Sequence, residues 1–333
     1  METAAPAPDA SPTPAHLRAG RRRTWWLALR AVVGVALVAA PAWVVLSTGD
    51  AVAHQHVTLA LLLGASALAG IAVLVATALA WRARDVRPAS RRPVLRAVGA
   101  GVGLALLVVL AGAAAWLRPF PATQAALDAL VSDDAVDVQE TSGWYAFVPQ
   151  GTRPTTGLVY SPGARVDVRA TAAVLRPLAE AGYLVVALKE PLGLAITSPN
   201  QAGSAIGTFD VDHWVVGGHS LGGVVAASFA ARNDVVDGLL LHASYPLGDM
   251  SDADLLVTSI SGSEDGLTTP ADVEASRANL PADATFVVVP GAVHAFFADY
   301  GPQPGDGTPT VPRAQAQAQI VDASLAALAA PGN

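Results

Sequence analysis

Three side chains in this 333-residue chain have the types, order and surroundings that nucleophilic acyl chemistry requires. Ser220 is the centre of Gly218–His219–Ser220–Leu221–Gly222, a G-x-S-x-G run placed between the apolar stretches His213–Gly217 and Leu221–Ala231. If the first stretch is a strand and the second a helix, the residue between them is forced into strained dihedrals. Its hydroxyl is then lifted clear of the sheet, and side chains two positions either side would collide, so glycine is needed there. The N–H of Leu221, at the helix start, faces the point where an oxyanion develops. A serine hydroxyl needs a base, and the base needs an acid to orient it. Asp265 follows the run Leu255–Ser261, with Glu264 as its rival, and His294 follows Thr285–Val289.

These residues need a scaffold that brings several strand ends to one rim. From Gly143 onward, short β-branched runs alternate with helical patterns. Trp144–Val148, Gly157–Tyr160, Tyr183–Leu188, His213–Gly217, Val236–His242, Leu255–Ser261 and Thr285–Val289 read as strands. Ala170–Ala181, Leu221–Ala231, Pro270–Asn279 and Arg313–Ala330 read as helices. Thr269, Pro270 and Asp272 supply a cap, a first-position proline and an early acid for the third helix. The strands are continuous apolar runs, as in a mostly parallel sheet covered by helices on both faces. The reading is an α/β domain over residues 143–333.

Further candidates lie at the same strand ends. The loop Ser161–Arg165 follows Gly157–Tyr160. Gly163 would let its backbone approach closely, and the N–H of Ala164 would be the second oxyanion donor. Arg165 could meet an anionic group or solvent. Glu190, after Lys189 at the end of Tyr183–Leu188, could position water or substrate, or form a salt bridge on the rim. His242 ends a strand and is either a pocket residue or a packed core histidine; His219 is expected to point away by strand alternation. Asp299 and Asp306 belong to a loop, packed by Tyr300, that forms a wall beyond His294. The reaction these groups describe is acyl transfer to water. His294 takes the proton of Ser220, Asp265 holds the imidazole, and the Leu221 and Ala164 amides receive the oxyanion. No metal or organic cofactor is required.

The first third of the chain has a different composition. Residues 1–118 carry 12 arginines against 4 acids, whereas residues 119–333 carry 8 basic residues against 23 acids. Residues 1–24 read as a disordered basic tail. Residues 25–118 read as a membrane module whose apolar runs, 25–46, 57–81 and 97–117, are each long enough to cross a bilayer. Ser47–His56 is expected to be a loop, and 119–142 a linker with a helix near Thr123–Val131. The arginines at 18–23 and in the loop 82–96 place the N-terminus and that loop in the cytoplasm, so three crossings carry the later domain outside. Ala39–Ala40–Pro41 makes a poor cleavage site, so the first run is expected to stay as a helix rather than be removed as a signal peptide. Gly99, Gly103 and Gly112 could allow close helix packing. The absence of cysteine excludes disulfides and thiol nucleophiles, and the acidic charge of the second part makes nucleic acid an improbable partner.

Residues 143–330 resemble the α/β-hydrolase superfamily, and within it the compact bacterial branch related to dienelactone hydrolase. The resemblance rests on Tyr160–Gly163, Leu178–Val186, Gly218–Gly223, Leu241–Pro246, Gly291–Phe297 and Tyr300–Gly307. It implies the same roles for Ser220, Asp265, His294 and Ala164 in a bacterial hydrolase; the membrane module lies outside the resemblance and adds only a location, the bacterial cell membrane. The nucleophile here is serine where dienelactone hydrolases have cysteine. Short spacings between the three residues leave little room for a lid, which favours an open pocket and short acyl groups. The expected function is a membrane-anchored serine hydrolase; the alternatives are a non-catalytic binding domain of the same fold and an envelope acyltransferase.

Overall fold

The computed structural model describes residues 14–83, 93–151 and 153–332. Of the disordered tail expected over residues 1–24, residues 1–13 lie outside the described residues and residues 14–24 are helical instead, continuous with the first apolar run; the arginines at 84, 87, 91 and 92 also lie outside the described residues. The chain forms two compact units: residues 1–44 with 62–116, and residues 45–61 with 117–333.

Three helices supply the first unit: α1 (Pro14–His54), α2 (Val57–Arg82) and α3 (Pro93–Trp116). Their stretches Arg23–His54, Val57–Arg82 and Val94–Trp116 are each long and apolar enough to cross a membrane. Val33, Leu37, Leu104 and Ala111 pack together, while Val32, Leu68, Val75, Leu106 and Val109 stay exposed. Helices apolar on every side are suited to lipid rather than water. The close approach falls at Gly70, where a Cβ would lie 2.8 Å from the Gly34 carbonyl, and Ser66 Oγ donates to the Leu37 carbonyl at 3.0 Å. Gly99, Gly103 and Gly112 instead face open space. Spacing within one helix does not reveal which glycines meet another.

Past Leu46, the helical path breaks at Thr48 (φ −146°, ψ 29°) and then resumes to His54. The expected loop Ser47–His56 is therefore mostly helical. Ala51, Val52 and Ala53 are compatible with helix, and burial of Ala51 and Val52 stabilises it. This stretch belongs to the second unit.

The second unit opens with α4 (Gln124–Asp128), shorter than expected, and β1 (Val136–Glu140). It continues through β2 (Trp144–Pro149), β3 (Thr156–Ser161), α5 (Ala172–Glu180), β4 (Leu184–Leu188), α6 (Gln201–Ile206), β5 (His213–His219) and α7 (Leu221–Ala230). After these come β6 (Gly238–His242), β7 (Leu256–Gly262), α8 (Pro270–Ser276), β8 (Thr285–Val289) and α9 (Arg313–Ala329). The eight strands run β1-β2-β4-β3-β5-β6-β7-β8; β1–β2 and β2–β4 pair antiparallel and the remaining pairs are parallel. β1 lies in the stretch expected to be a linker. Its alternating Val136–Asp137–Val138 pattern is that of an edge strand with one wet face.

Two apolar cores flank the sheet. Leu175 and Leu178 of α5 meet Ile320 and Leu328 of α9 in one, and Phe229 of α7 packs with Trp214 and Leu239 in the other. Each fully buried leucine contributes about 1.5–3 kcal/mol, which holds the parallel strands in register. Their C-terminal ends form one rim.

Candidate active site

β5 passes directly into α7, and Ser220 is the residue between them, at φ 53° and ψ −125°. A non-glycine residue takes such dihedrals only where its surroundings fix it. Here the Ser220 N–H donates to the His242 carbonyl at 3.0 Å, and Ser244 Oγ donates to the Ser220 carbonyl at 2.7 Å. The flanking glycines are required by contact. A Cβ on Gly222 would lie 2.0 Å from the Ser161 carbonyl oxygen, and one on Gly218 would lie 2.5 Å from the Gly222 carbonyl carbon. The end of β3 thus rests against the start of the nucleophile helix.

The loop after β7 carries Asp265, which is almost fully buried. Its Oδ1 accepts the N–H groups of Leu267 (2.8 Å) and Thr268 (2.7 Å), and its Oδ2 lies 2.9 Å from His294 Nδ1. Those two amides fix the carboxylate so that one oxygen is left for the imidazole. With Nδ1–H donated to Asp265, Nε2 carries the lone pair that a general base needs. The rival Glu264 is exposed and bonded by Ser263 Oγ. No hydrogen bond joins Ser220 to His294 among the described residues; such contacts are often long in a free enzyme and tighten with substrate.

Asp306 fixes the base loop. Its carboxylate accepts the N–H groups of His294 (3.0 Å), Ala295 (2.9 Å) and Gly307 (2.7 Å), and that of Gly266 at 3.4 Å. One side chain therefore joins the loop that carries Asp265 to the loop that carries His294. Sequence reading placed Asp306 in a wall beyond His294, and only the fold shows this connection. Asp299 pairs with Arg313 at 2.6 Å, and Tyr300 is fully buried.

Ala164 is half-buried in the turn after β3, which the Val166 N–H closes by donating to the Gly163 carbonyl. Neither the Ala164 nor the Leu221 N–H bonds another described group. Arg165 holds φ 62° and places its guanidinium 4.7 Å over the Phe120 ring. Gly163 approaches His219 so closely that a Cβ would lie 2.6 Å from Nδ1.

His219 does not point away from the site. Its buried ring lies 4.5 Å from that of His294, and neither nitrogen makes a hydrogen bond of good geometry among the described residues. Strand alternation fails as a guide here because β5 ends at the strained turn. Burial, with the two nearby imidazoles, pushes its pKa well down and keeps it neutral. His242 is a packed core residue, bonded to Tyr160 OH and Ser324 Oγ at 2.9 Å each, and burial lowers its pKa to about 3.

Glu190 makes no rim ion pair among the described residues. Lys189 binds Glu140 at 2.6 Å instead. Glu190 is buried and accepts Ser161 Oγ (2.9 Å) and Ser198 Oγ (2.6 Å), and burial pushes its carboxyl pKa up. Through Ser161 it steadies the strand end that carries Gly163 and Ala164.

A family model described as the alpha/beta hydrolase family matches residues 157–318. The second unit has the α/β-hydrolase fold. Among solved structures, a dienelactone hydrolase-like promiscuous phosphotriesterase from metagenomic libraries is similar at 16% identity and TM-score 0.45, over 59% of this chain and 98% of that one. A proposed dienelactone hydrolase from Klebsiella pneumoniae subsp. pneumoniae MGH 78578 is similar at 18% identity and TM-score 0.43, over 60% and 97%. No curated protein matches the sequence. In this unit Ser220 follows β5, Asp265 follows β7 and His294 follows β8.

Proposed function

We propose that this protein is a membrane-anchored serine hydrolase that cleaves a small ester or related acyl bond. The observation that carries the reading is the buried Asp265–His294 pair, 2.9 Å apart, on the rim where Ser220 occupies a strained strand-to-helix turn. His294 Nε2 takes the proton as Ser220 Oγ attacks the carbonyl carbon. Asp265 holds the tautomer and stabilises the imidazolium. The free N–H groups of Leu221 and Ala164 receive the oxyanion. His294 then protonates the leaving group and activates water, which releases the acyl group from Ser220.

A recess of about 340 Å³ flanks α7, with Ile196, Val224, Val225, Leu247 and Met250 in its walls. Ser220, Asp265 and His294 are not part of its walls. The three apolar helices support a multi-pass anchor, with the N-terminus in the cytoplasm and the hydrolase unit outside it.

The test is hydrolysis of p-nitrophenyl acetate by the full chain in detergent. Native protein should turn over the ester and Ser220→Ala should not; equal rates in both would remove the reading.

A further inference from the structure

The segment joining α1 to α2 packs into the hydrolase unit at the proposed oxyanion loop. Thr48, Ala51, Val52, Gln55 and Leu59 are all buried. Gln55 Nε2 donates to the carbonyl of Val166 at 2.9 Å, and the Val166 N–H donates to the Gly163 carbonyl at 3.0 Å. Thr58 Oγ1 accepts the N–H of Leu192 at 2.8 Å; next to it, the Gly193 carbonyl accepts the N–H of Arg165 at 2.8 Å. Asp50 meets Arg169 at 2.7 Å, and Arg169 also binds the buried Asp167. The Asp167 N–H and the Arg165 carbonyl bond the two sides of Phe120. The four-residue turn that contains Ala164 is thus held on its C-terminal side by one route and through Arg165 by another, and both begin in this segment.

The turn needs such support. Arg165 and Leu192 both have positive φ, at 62° and 58°, and neither is glycine. Non-glycine residues stay in that region only when neighbouring contacts over-determine it. Hydrogen-bond donors stabilise an oxyanion only when they are already aimed at it.

We propose that residues 45–61 are a working part of the hydrolase, with Gln55 and Thr58 as positioning residues for the Ala164 N–H. The proposal rests on the hydrolase reading above. Catalytic rate is then tied to the membrane segment itself, because a chain that lacks this connection lacks the support for its oxyanion loop.

The test compares Gln55→Ala, Gln55→Glu and Thr58→Val with native protein, all as the full chain in detergent. Gln55→Glu keeps the shape but loses the donor, and Thr58→Val keeps the shape but loses the acceptor. Turnover of p-nitrophenyl acetate is taken per serine titrated to completion with a fluorophosphonate, so unfolded molecules drop out. Loss of an oxyanion donor costs about 100- to 1,000-fold in kcat; loosening one should cost about 10- to 100-fold, with KM close to native. Native kcat in all three variants would overturn the proposal while leaving the hydrolase reading intact. A native chain with no Ser220-dependent turnover would remove the hydrolase reading, and this proposal with it.

Discussion

The imidazole of His219 lies 4.5 Å from that of His294, with Gly163 of the oxyanion loop closed against its other edge. A buried, neutral ring therefore packs against both the proposed base and the proposed oxyanion loop. It packs also near Phe297 and Tyr300, so apolar volume is the property it supplies.

This arrangement sets a pH dependence. The pKa values of His219 and His242 are both lowered by burial, the second to about 3. Below the ordinary value of 6.5, the unfolded chain takes up protons that the folded chain does not. Stability is therefore present above about pH 6.5 and falls as the pH drops, down to about pH 3 for His242. The thermal midpoint should decline from about pH 7.5 to about pH 5. It should decline less in His219→Phe, which keeps the volume and removes the titrating group. An identical slope in that variant would contradict the assignment.

Asp265→Asn should leave the fold intact and lower kcat by about 1,000-fold or more, since an amide cannot hold the imidazole in the reactive tautomer or stabilise its cation. Esterase assays beside a melting curve would check this. A loss below about tenfold would remove Asp265 from the acid role.

Gly222→Ala is expected to be severe. Its new Cβ meets the Ser161 carbonyl oxygen at 2.0 Å, so the oxyanion loop must move away from the nucleophile helix. Misplacement of about 1 Å can cost about 100-fold in rate, and kcat should fall at least that far in molecules that still fold.

Asp306→Ala removes the acceptor for three backbone N–H groups on the loops of the proposed acid and base, and for that of its own neighbour Gly307. Stability should fall by about 1–3 kcal/mol, read as a lower denaturation midpoint, and kcat should fall with it. A variant with native stability and rate would show that the connection between the two loops is dispensable.

Much of the second unit was legible because its signals are local. The run from Val215 to Gly223 encodes strand, strained turn and helix within nine residues, and Asp265 and His294 each follow an apolar strand at once. Thr269 caps α8 as its place in the sequence implies, and in the structure Asp272 completes a capping box with it. What escaped depends on distant partners. β1 is short and acidic and becomes a strand only by pairing with β2. Ser47–His56 reads as a loop because nothing within it reveals the surface that buries Gln55. The rim salt bridge expected of Glu190 gives way to two hydroxyl donors, Ser161 and Ser198, which only the fold brings to it. His219 was misread because its direction is set by the strained backbone at Ser220.

The most direct test of the central claim is covalent labelling of the full chain in detergent by a fluorophosphonate, with the modified residue located by peptide mass spectrometry. The account predicts one label per chain, carried by Ser220, with no labelling of Ser220→Ala and much slower labelling of His294→Ala. A folded native chain that takes no label, or a label on another serine, would contradict it.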